Sequence, residues 1–198
     1  MLGAGHDVTG LVRRPEHVSR LQAMGATGVQ MDLTRATPAE LTRVLHGADA
    51  MVFAAGSSYD STAKESIAIN LDAAVASIDA AVEARLTHVA MISAHRVDED
   101  FGDDQTMTYL RAKRAADAHL RSQTRLRWTI VRPDALSDEE PTGHVQVGEL
   151  VPEGLLPRAD LATVVTAALT RPGANAQFEV IGGSTPIEEA VLEATRGL

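Results

Sequence analysis

The chain has 198 residues, 44% of them hydrophobic, which fits one domain with an apolar core. Its formal net charge of −9 argues against a nucleic-acid surface, which needs a basic stripe, and no apolar run approaches the roughly 20 residues that a membrane helix needs. The sequence contains no cysteine, which excludes disulfides, thiolate metal sites and a cysteine nucleophile, and the cytoplasm is the expected compartment.

The first part of the chain predicts three strands separated by helices. Pro15 begins the first helix and Gly25 ends it, and a capping box at residues 37–40 begins the second. The third strand is apolar throughout, which is typical of a strand buried on both faces. The three predicted strands cover residues 8–12, 29–33 and 50–55.

The same alternation continues to the end of the chain. The predicted elements are helices over residues 62–84, 107–122 and 158–170 and from Pro186, with strands over 89–92, 128–131 and 178–181. Apolar strands alternating with helices predict an α/β fold, namely a doubly wound parallel sheet in three layers. We expect a single domain over residues 1–198.

One segment, residues 134–157, breaks this rhythm. It combines a polar run containing proline and glycine with a short strand over residues 145–148. Long loops of this kind are often functional, so we expect a substrate lid here, although disorder is the competing interpretation.

Tyr109 and Lys113 have the spacing i, i+4, which places both side chains on one helix face. Hydride transfer to a carbonyl needs a proton donor, and an ammonium beside a phenol is expected to lower the phenol pKa from about 10 toward the working pH. Lys113 could also bind the nicotinamide ribose, and Ser93, at the end of the preceding strand, would hold the substrate oxygen. Because Tyr-x-x-x-Lys also arises by chance, the assignment depends on its place in the order of elements.

Charged residues at two strand ends predict the adenosine side of a dinucleotide site. Arg13 and Arg14 follow the first strand, where arginine accommodates the 2′-phosphate of NADP and an acidic residue would select NAD. Asp32 and Leu33 end the next strand and would touch the adenine edge. The competing interpretations are a solvated arginine pair and a carboxylate that begins a helix.

Small residues end the third strand. Ala54, Ala55 and Gly56 lie where a cofactor backbone would approach a strand end, although a tight turn would also explain Gly56. Asn70, in the following helix, could support an active-site water or Lys113, but surface asparagine is commoner.

Seven motifs in this order resemble the atypical short-chain dehydrogenase/reductases, specifically the bacterial NAD(P)H-binding, NmrA-like subgroup. The likeness covers nearly all of the chain. The motifs are Val12-Arg13-Arg14-Pro15, Phe53-Ala54-Ala55-Gly56-Ser57, Tyr109-Leu110-Arg111-Ala112-Lys113-Arg114-Ala115-Ala116-Asp117, Thr129-Ile130-Val131-Arg132-Pro133, and the segments 136–143, 157–162 and 178–183.

The resemblance implies a Rossmann fold, a nicotinamide cofactor, and a Ser/Tyr/Lys site at Ser93, Tyr109 and Lys113. It also places Arg132 and Pro133 at the cofactor. The expected function is an NADP-preferring oxidoreductase (NAD is possible) acting on a small carbonyl or related compound. The alternatives are an NADPH-sensing module without turnover and a truncated, inactive copy.

We expect a small-molecule substrate as the partner, no nucleic acid or membrane, and a monomer or homodimer. No metal site is expected either, since His88, His95 and His144 lack metal-ligand spacing.

The chain departs from the family at its start. The family's opening strand, Gly-x-x-Gly-x-x-Gly turn and helix have no counterpart in this sequence, and residues 3–7 resemble the end of that helix and the turn into the second strand. We therefore expect an N-terminally truncated version of the fold, with the absent strand belonging between the strands at Val8 and Ala50. Unpaired strand edges and weak dinucleotide binding would follow. A smaller departure is Ser93-Ala94, where relatives often have Ser-Ser.

Overall fold

The computed structural model describes residues 1–58, 60–171 and 173–196, and the predicted alternation of strands and helices runs through them. The strands are β1 Thr9–Val12, β2 Thr27–Gln30, β3 Ala50–Phe53, β4 His88–Ile92, β5 Arg127–Pro133, β6 Ala135–Ser137, β7 His144–Gly148, β8 Leu155–Pro157, β9 Ala176–Gly182 and β10 Thr185–Pro186. The helices are α1 Pro15–Ala23, α2 Pro38–Leu45, α3 Ala63–Ile67, α4 Ala73–Glu83, α5 Asp104–Arg121, α6 Arg158–Thr170 and α7 Ile187–Ala194.

The main sheet has the order β10-β7-β9-β5-β4-β3. Strands β3, β4, β5 and β9 are parallel neighbours, whereas β7 is antiparallel to β9 and β10 to β7. The carboxyl ends of β3, β4 and β5 therefore meet at one edge of the sheet, where ligands of open α/β sheets bind. The predicted α/β fold with a mainly parallel central sheet is confirmed.

Helices cover both faces of this sheet, which gives the three layers. Along β4, Val89 and Met91 pack into a cluster with α2, α4 and α5, while Ala90 between them packs into a cluster with α6 and α7. Successive side chains of a strand point to opposite faces, so the two clusters lie on opposite sides of the sheet. No helix among the described residues is long and apolar enough to span a bilayer.

Strands β1 and β2 form a parallel two-stranded sheet of their own, with Thr9 opposite Thr27 and Val12 opposite Gln30. Within the described ranges, β1 pairs only with β2, and β3 only with β4, so each has one edge without a strand partner. Residues Leu2–Ala4 form one helical turn, which Gly5 ends at φ 81°.

Three sequence-based boundaries differ from the structure. The helix predicted over residues 62–84 consists of α3 and α4 joined by a π-helical turn over Ala68–Asp72. The strand predicted over residues 29–33 is β2, which ends at Gln30, so Asp32 and Leu33 lie in the turn after it. Residues 134–157 contain three strands, of which β7 joins the main sheet and β6 pairs in parallel with β8.

Candidate active site

Helix α5 carries the predicted catalytic pair. The Asp103 side chain caps its first turn by accepting a hydrogen bond from the Thr106 backbone N–H at 2.8 Å. Tyr109 and Lys113 then lie one turn apart, and Asp117 follows one turn later on the same face. Ser93 comes directly after β4, so all four residues lie at the carboxyl edge of the sheet.

Lys113 is only 4% exposed, and its ammonium donates a hydrogen bond to the Ile92 carbonyl at 2.9 Å. The Nζ atom lies 5.9 Å from the centroid of the Tyr109 ring. Burial lowers the pKa of Lys113 from 10.5 to about 8, and the nearby Asp117 carboxylate opposes this change. The lysine therefore titrates close to physiological pH.

The expectation that Lys113 lowers the pKa of Tyr109 is wrong for this structure. Burial, and secondarily the negative charge of Asp117, raise the pKa of Tyr109 above 10. The physical reason is that the phenol is largely desolvated, while the ammonium is bonded to the Ile92 carbonyl. Tyr109 is consequently a neutral phenol at neutral pH.

Ser93 belongs to a buried charged network. Its hydroxyl donates to Asp117 Oδ2 at 2.9 Å, and the same oxygen accepts from Arg132 Nε and Nη2 at 3.1 and 2.8 Å. Arg132 Nη1 binds Asp98 at 2.7 Å. The guanidinium that the family resemblance placed at the cofactor is thus committed to two carboxylates. Pro133 ends β5, and its carbonyl accepts the His95 N–H at 2.9 Å.

A cavity of about 280 Å³ lies beside Tyr109, between α5 and the segment that leads into α3. Its walls present hydroxyl and amide groups, and of the three predicted catalytic residues only Tyr109 lines it among the residues that the structure describes. The lining residues are Ser57, Ser58, Ser61, Ser66, Gln105, Thr106 and Tyr109. A second cavity of about 590 Å³ lies at the opposite, amino ends of β4 and β5 and contains none of the predicted site residues.

Asn70 supports the wall of the smaller cavity. It is fully buried in the π-helical turn, which corrects the expectation of a surface asparagine. Its amide donates to Ser57 Oγ at 2.8 Å and to Ser66 Oγ at 3.1 Å, whereas Oδ1 has no hydrogen-bond partner in the described structure. A Cβ at Gly56 would lie 3.5 Å from that oxygen, an ordinary contact, and the φ of Gly56 is not positive. A tight turn therefore does not explain this glycine.

The two predicted adenosine contacts lie near each other. Arg13 is exposed, and its charge lowers the pKa of both Asp32 and Glu65, although hydrogen bonds with Thr34 and Thr62 are the larger causes. Arg14 is 3.6 Å from Glu16. The carboxylate of Asp32 accepts from the Thr34 N–H and hydroxyl at 3.0 and 2.7 Å. Asp32 thus stabilises a turn, which is closer to the interpretation as a carboxylate that begins a helix than to a contact with adenine.

Leu33 and Ala55 are partly buried against the core cluster, and Ala54 is exposed at the end of β3. The structure therefore brings Arg13 and Asp32 close together after β1 and β2, and places Ser93, Tyr109 and Lys113 at the carboxyl edge of the main sheet, with residues 54–56 following β3. Sequence reasoning missed Asp117 as a partner of Ser93. Its spacing of four residues from Lys113 was the available signal.

Comparisons with known proteins give the family of the chain. A family model described as NAD(P)H-binding matches residues 1–172. A Bacillus subtilis (strain 168) protein named "Uncharacterized sugar epimerase YhfK" is 32% identical over 188 residues, which are 94% of this chain and 87% of that protein.

Two solved structures show the same fold. A protein from Bacillus halodurans, assigned by its name to the NAD-dependent epimerases/dehydratases, has a TM-score of 0.84 at 32% identity, covering 96% of this chain and 89% of that one. The oxidoreductase ylbE from Lactococcus lactis has a TM-score of 0.79 at 24% identity, covering 94% and 84%.

The chain belongs to the NAD(P)H-binding family of the short-chain dehydrogenase/reductase type, as the motifs predicted. It is therefore an NAD(P)-binding protein with a Rossmann-like fold.

Proposed function

We propose that the protein is an NADP-preferring oxidoreductase that reduces a small carbonyl compound, with Tyr109 as the proton donor. The observation that carries this proposal is the neutral phenol of Tyr109 in the wall of a hydroxyl-lined cavity, one helical turn from the buried Lys113. A bound dinucleotide would supply the hydride. A protonated phenol is the form needed to protonate the alkoxide that such a reduction creates, and Tyr109 is in this form at neutral pH.

The walls of the cavity support a neutral substrate. Among the described residues that line it, none carries a formal charge at neutral pH, and all but Gln105 offer hydroxyl groups. Asn70 fixes two of these hydroxyls, Ser57 and Ser66, from behind. A site built to hydrogen-bond a substrate discriminates strongly against analogues that lack the matching groups. A small, uncharged compound with several oxygens fits this lining best.

The preference for NADP rests on Arg13 and Arg14. Both guanidinium groups are exposed directly after β1, on the side of the carboxyl edge where Asp32 also lies. Charge-assisted hydrogen bonds from arginine to a phosphate are roughly twice as strong as neutral ones. The Bacillus halodurans relative is NAD-dependent by name, so the arginine pair is the feature of this chain to test.

The proposed cofactor site also needs a group that binds the pyrophosphate of the dinucleotide. In the doubly wound order, a strand between β1 and β3 leads into the Gly-rich turn and helix N-terminus that hold the pyrophosphate. In the described residues β1 and β3 each have one edge without a strand partner. We infer that a strand between β1 and β3, followed by a Gly-rich turn, completes the cofactor site.

A nucleotide-sensing module is the second candidate. Its supporting observation is that both residues donate hydrogen bonds within the protein: the Ser93 hydroxyl to Asp117, and the Lys113 ammonium to the Ile92 carbonyl. Steady-state NADPH consumption over a panel of aldehydes, ketones and quinones separates the two functions. Consumption with at least one carbonyl supports the enzyme. Sub-micromolar NADPH binding without consumption supports the sensor and rejects our proposal.

A further inference from the structure

We propose that Asp117 is a positioning residue of this active site: it holds Lys113 in its charged form and takes up the hydroxyl hydrogen of Ser93, so that Ser93 cannot donate it to a ligand. The consequence for catalysis rests on the proposed function. The contacts of Asp117 are independent of the proposed function, because all of them lie within the protein.

Asp117 is placed to serve both residues. It lies one helical turn beyond Lys113 and two beyond Tyr109, and none of its surface is exposed. Its Oδ2 accepts hydrogen bonds from the Ser93 hydroxyl and from two nitrogens of Arg132. The other oxygen, Oδ1, is buried and has no hydrogen-bond partner in the described part of the chain.

The groups that face Asp117 come from three elements. Arg132 approaches from β5, Ser93 from the end of β4, and Lys113, Tyr109 and Arg121 share α5 with it. Burial raises the pKa of Asp117, while the charge of Arg132 and the Ser93 and Arg132 hydrogen bonds oppose this. Three donors are directed at Oδ2, two of them from a guanidinium, so this oxygen carries no proton, and the adjacent positive charge of Arg132 favours the ionised carboxylate.

An ionised Asp117 stabilises the ammonium of Lys113. Lys113 is buried, and its one hydrogen bond among the described contacts is to the neutral Ile92 carbonyl. Loss of the negative charge one turn away would therefore favour the neutral amine. The same carboxylate takes the single hydroxyl hydrogen of Ser93, so Ser93 can accept a hydrogen bond from a ligand but cannot donate one. In this arrangement Tyr109 protonates the substrate without help from Ser93.

The sequence permits a direct test, because it contains only two lysines, Lys64 and Lys113. Protein labelled with ¹³C at the lysine Cε gives two side-chain signals by NMR, and Lys64→Arg identifies the one from Lys113. In the native protein we expect that signal to titrate near pH 8. In Asp117→Asn the proton affinity of Lys113 should fall about tenfold, the lower end of what one neighbouring opposite charge produces.

Two matched variants serve as controls. Asp104→Asn makes the same chemical change in the exposed first turn of α5, and Ser93→Ala removes the hydroxyl while keeping the carboxylate. Both should titrate as the native protein does. A Lys113 signal that titrates identically in Asp117→Asn and Asp104→Asn would overturn the proposal.

A double variant covers the case in which Asp117→Asn does not fold. Replacing both partners of a buried ion pair with apolar residues is commonly tolerated, so Asp117→Leu/Arg132→Met is measured as well. The Lys113 proton affinity should fall in this variant too, by less than in Asp117→Asn because the positive charge of Arg132 is lost as well, and a value at or above the native one contradicts us. These titrations use neither cofactor nor substrate, so they decide the role of Asp117 even if the proposed function fails. In an active enzyme, Asp117→Asn should also move the alkaline limb of kcat to lower pH.

Discussion

Replacing the buried Glu179 should lower the free energy of unfolding more than replacing an exposed residue nearby. Glu179 lies on β9 with 1% of its surface exposed. Its Oε1 accepts the Arg96 backbone N–H at 2.8 Å, and its Oε2 accepts the Val151 backbone N–H at 3.0 Å. The His95 ring nitrogen Nε2 is 3.3 Å from Oε2 and 2.9 Å from the Val151 carbonyl. One carboxylate thus ties the turn after β4 to the segment between β7 and β8.

The expected loss follows from those two hydrogen bonds. A hydrogen bond to a charged group contributes about 1.5–3 kcal/mol, so Glu179→Ala should lower the free energy of unfolding by about 3–6 kcal/mol. This is a large share of the roughly 5–15 kcal/mol that stabilises a typical domain. Glu179→Gln keeps the shape and one carbonyl acceptor but turns an NH₂ group toward the other donor, and should cost less than the alanine variant.

Urea unfolding, followed by the fluorescence of the single tryptophan, Trp128, measures these differences. Glu153→Ala is the control, since Glu153 also binds Arg96, at 2.9 Å, but its side chain is 76% exposed. It should unfold close to the native protein. Hydrogen exchange of the Arg96 and Val151 amides should quicken in Glu179→Ala alone. A loss below about 1 kcal/mol in Glu179→Ala would refute the reasoning, because a buried acceptor of two backbone donors cannot be that dispensable.

Three further predictions concern the site. Lys113→Ala should reduce cofactor affinity and turnover together, as kinetics and calorimetry on the same preparation would show, because the amine is expected to serve both the ribose and Tyr109. Arg13→Ala/Arg14→Ala should erase most of the preference for NADPH over NADH in kcat/KM, and a native preference for NADH would contradict the assignment of this strand end. The buried Lys113 binds its proton less tightly in the folded state, with a pKa near 8 against 10.5 when unfolded. The unfolded chain therefore holds more protons between these values, and the Lys113 contribution to the free energy of unfolding should rise as pH increases from about 8 to 10.5, measured by urea titrations and absent in Lys113→Met.

The order of elements was readable from the sequence because it depends on local patterns. Apolar runs, the capping box at residues 37–40 and the helix start at Arg158 all correspond to elements of the structure. The placement of Ser93 and Tyr109 at one sheet edge followed from the strand–helix alternation alone. Element boundaries depend on tertiary contacts, so β2 was located only approximately, and the π-helical turn within the helix predicted over residues 62–84 was not predicted.

The electrostatics of the site were not readable in the same way. The pKa of Tyr109 depends on how deeply the phenol is buried and on which group the Lys113 ammonium binds. The i, i+4 spacing of the two residues predicts neither. The contacts of Asp117 with Ser93 and of Glu179 with Arg96 join residues 24 and 83 positions apart. Such pairings emerge only when the strands that carry them become neighbours.

The most direct test of the proposed chemistry compares the native protein with Tyr109→Phe at equal cofactor occupancy. NADPH binding is measured by calorimetry for both, and NADPH oxidation is then followed at saturating cofactor with a carbonyl that the native protein reduces. We predict that Tyr109→Phe binds NADPH as the native protein does and loses most of kcat, because its hydroxyl acts mainly in the transition state. Turnover that is unchanged in Tyr109→Phe would contradict the assignment of Tyr109 as the proton donor.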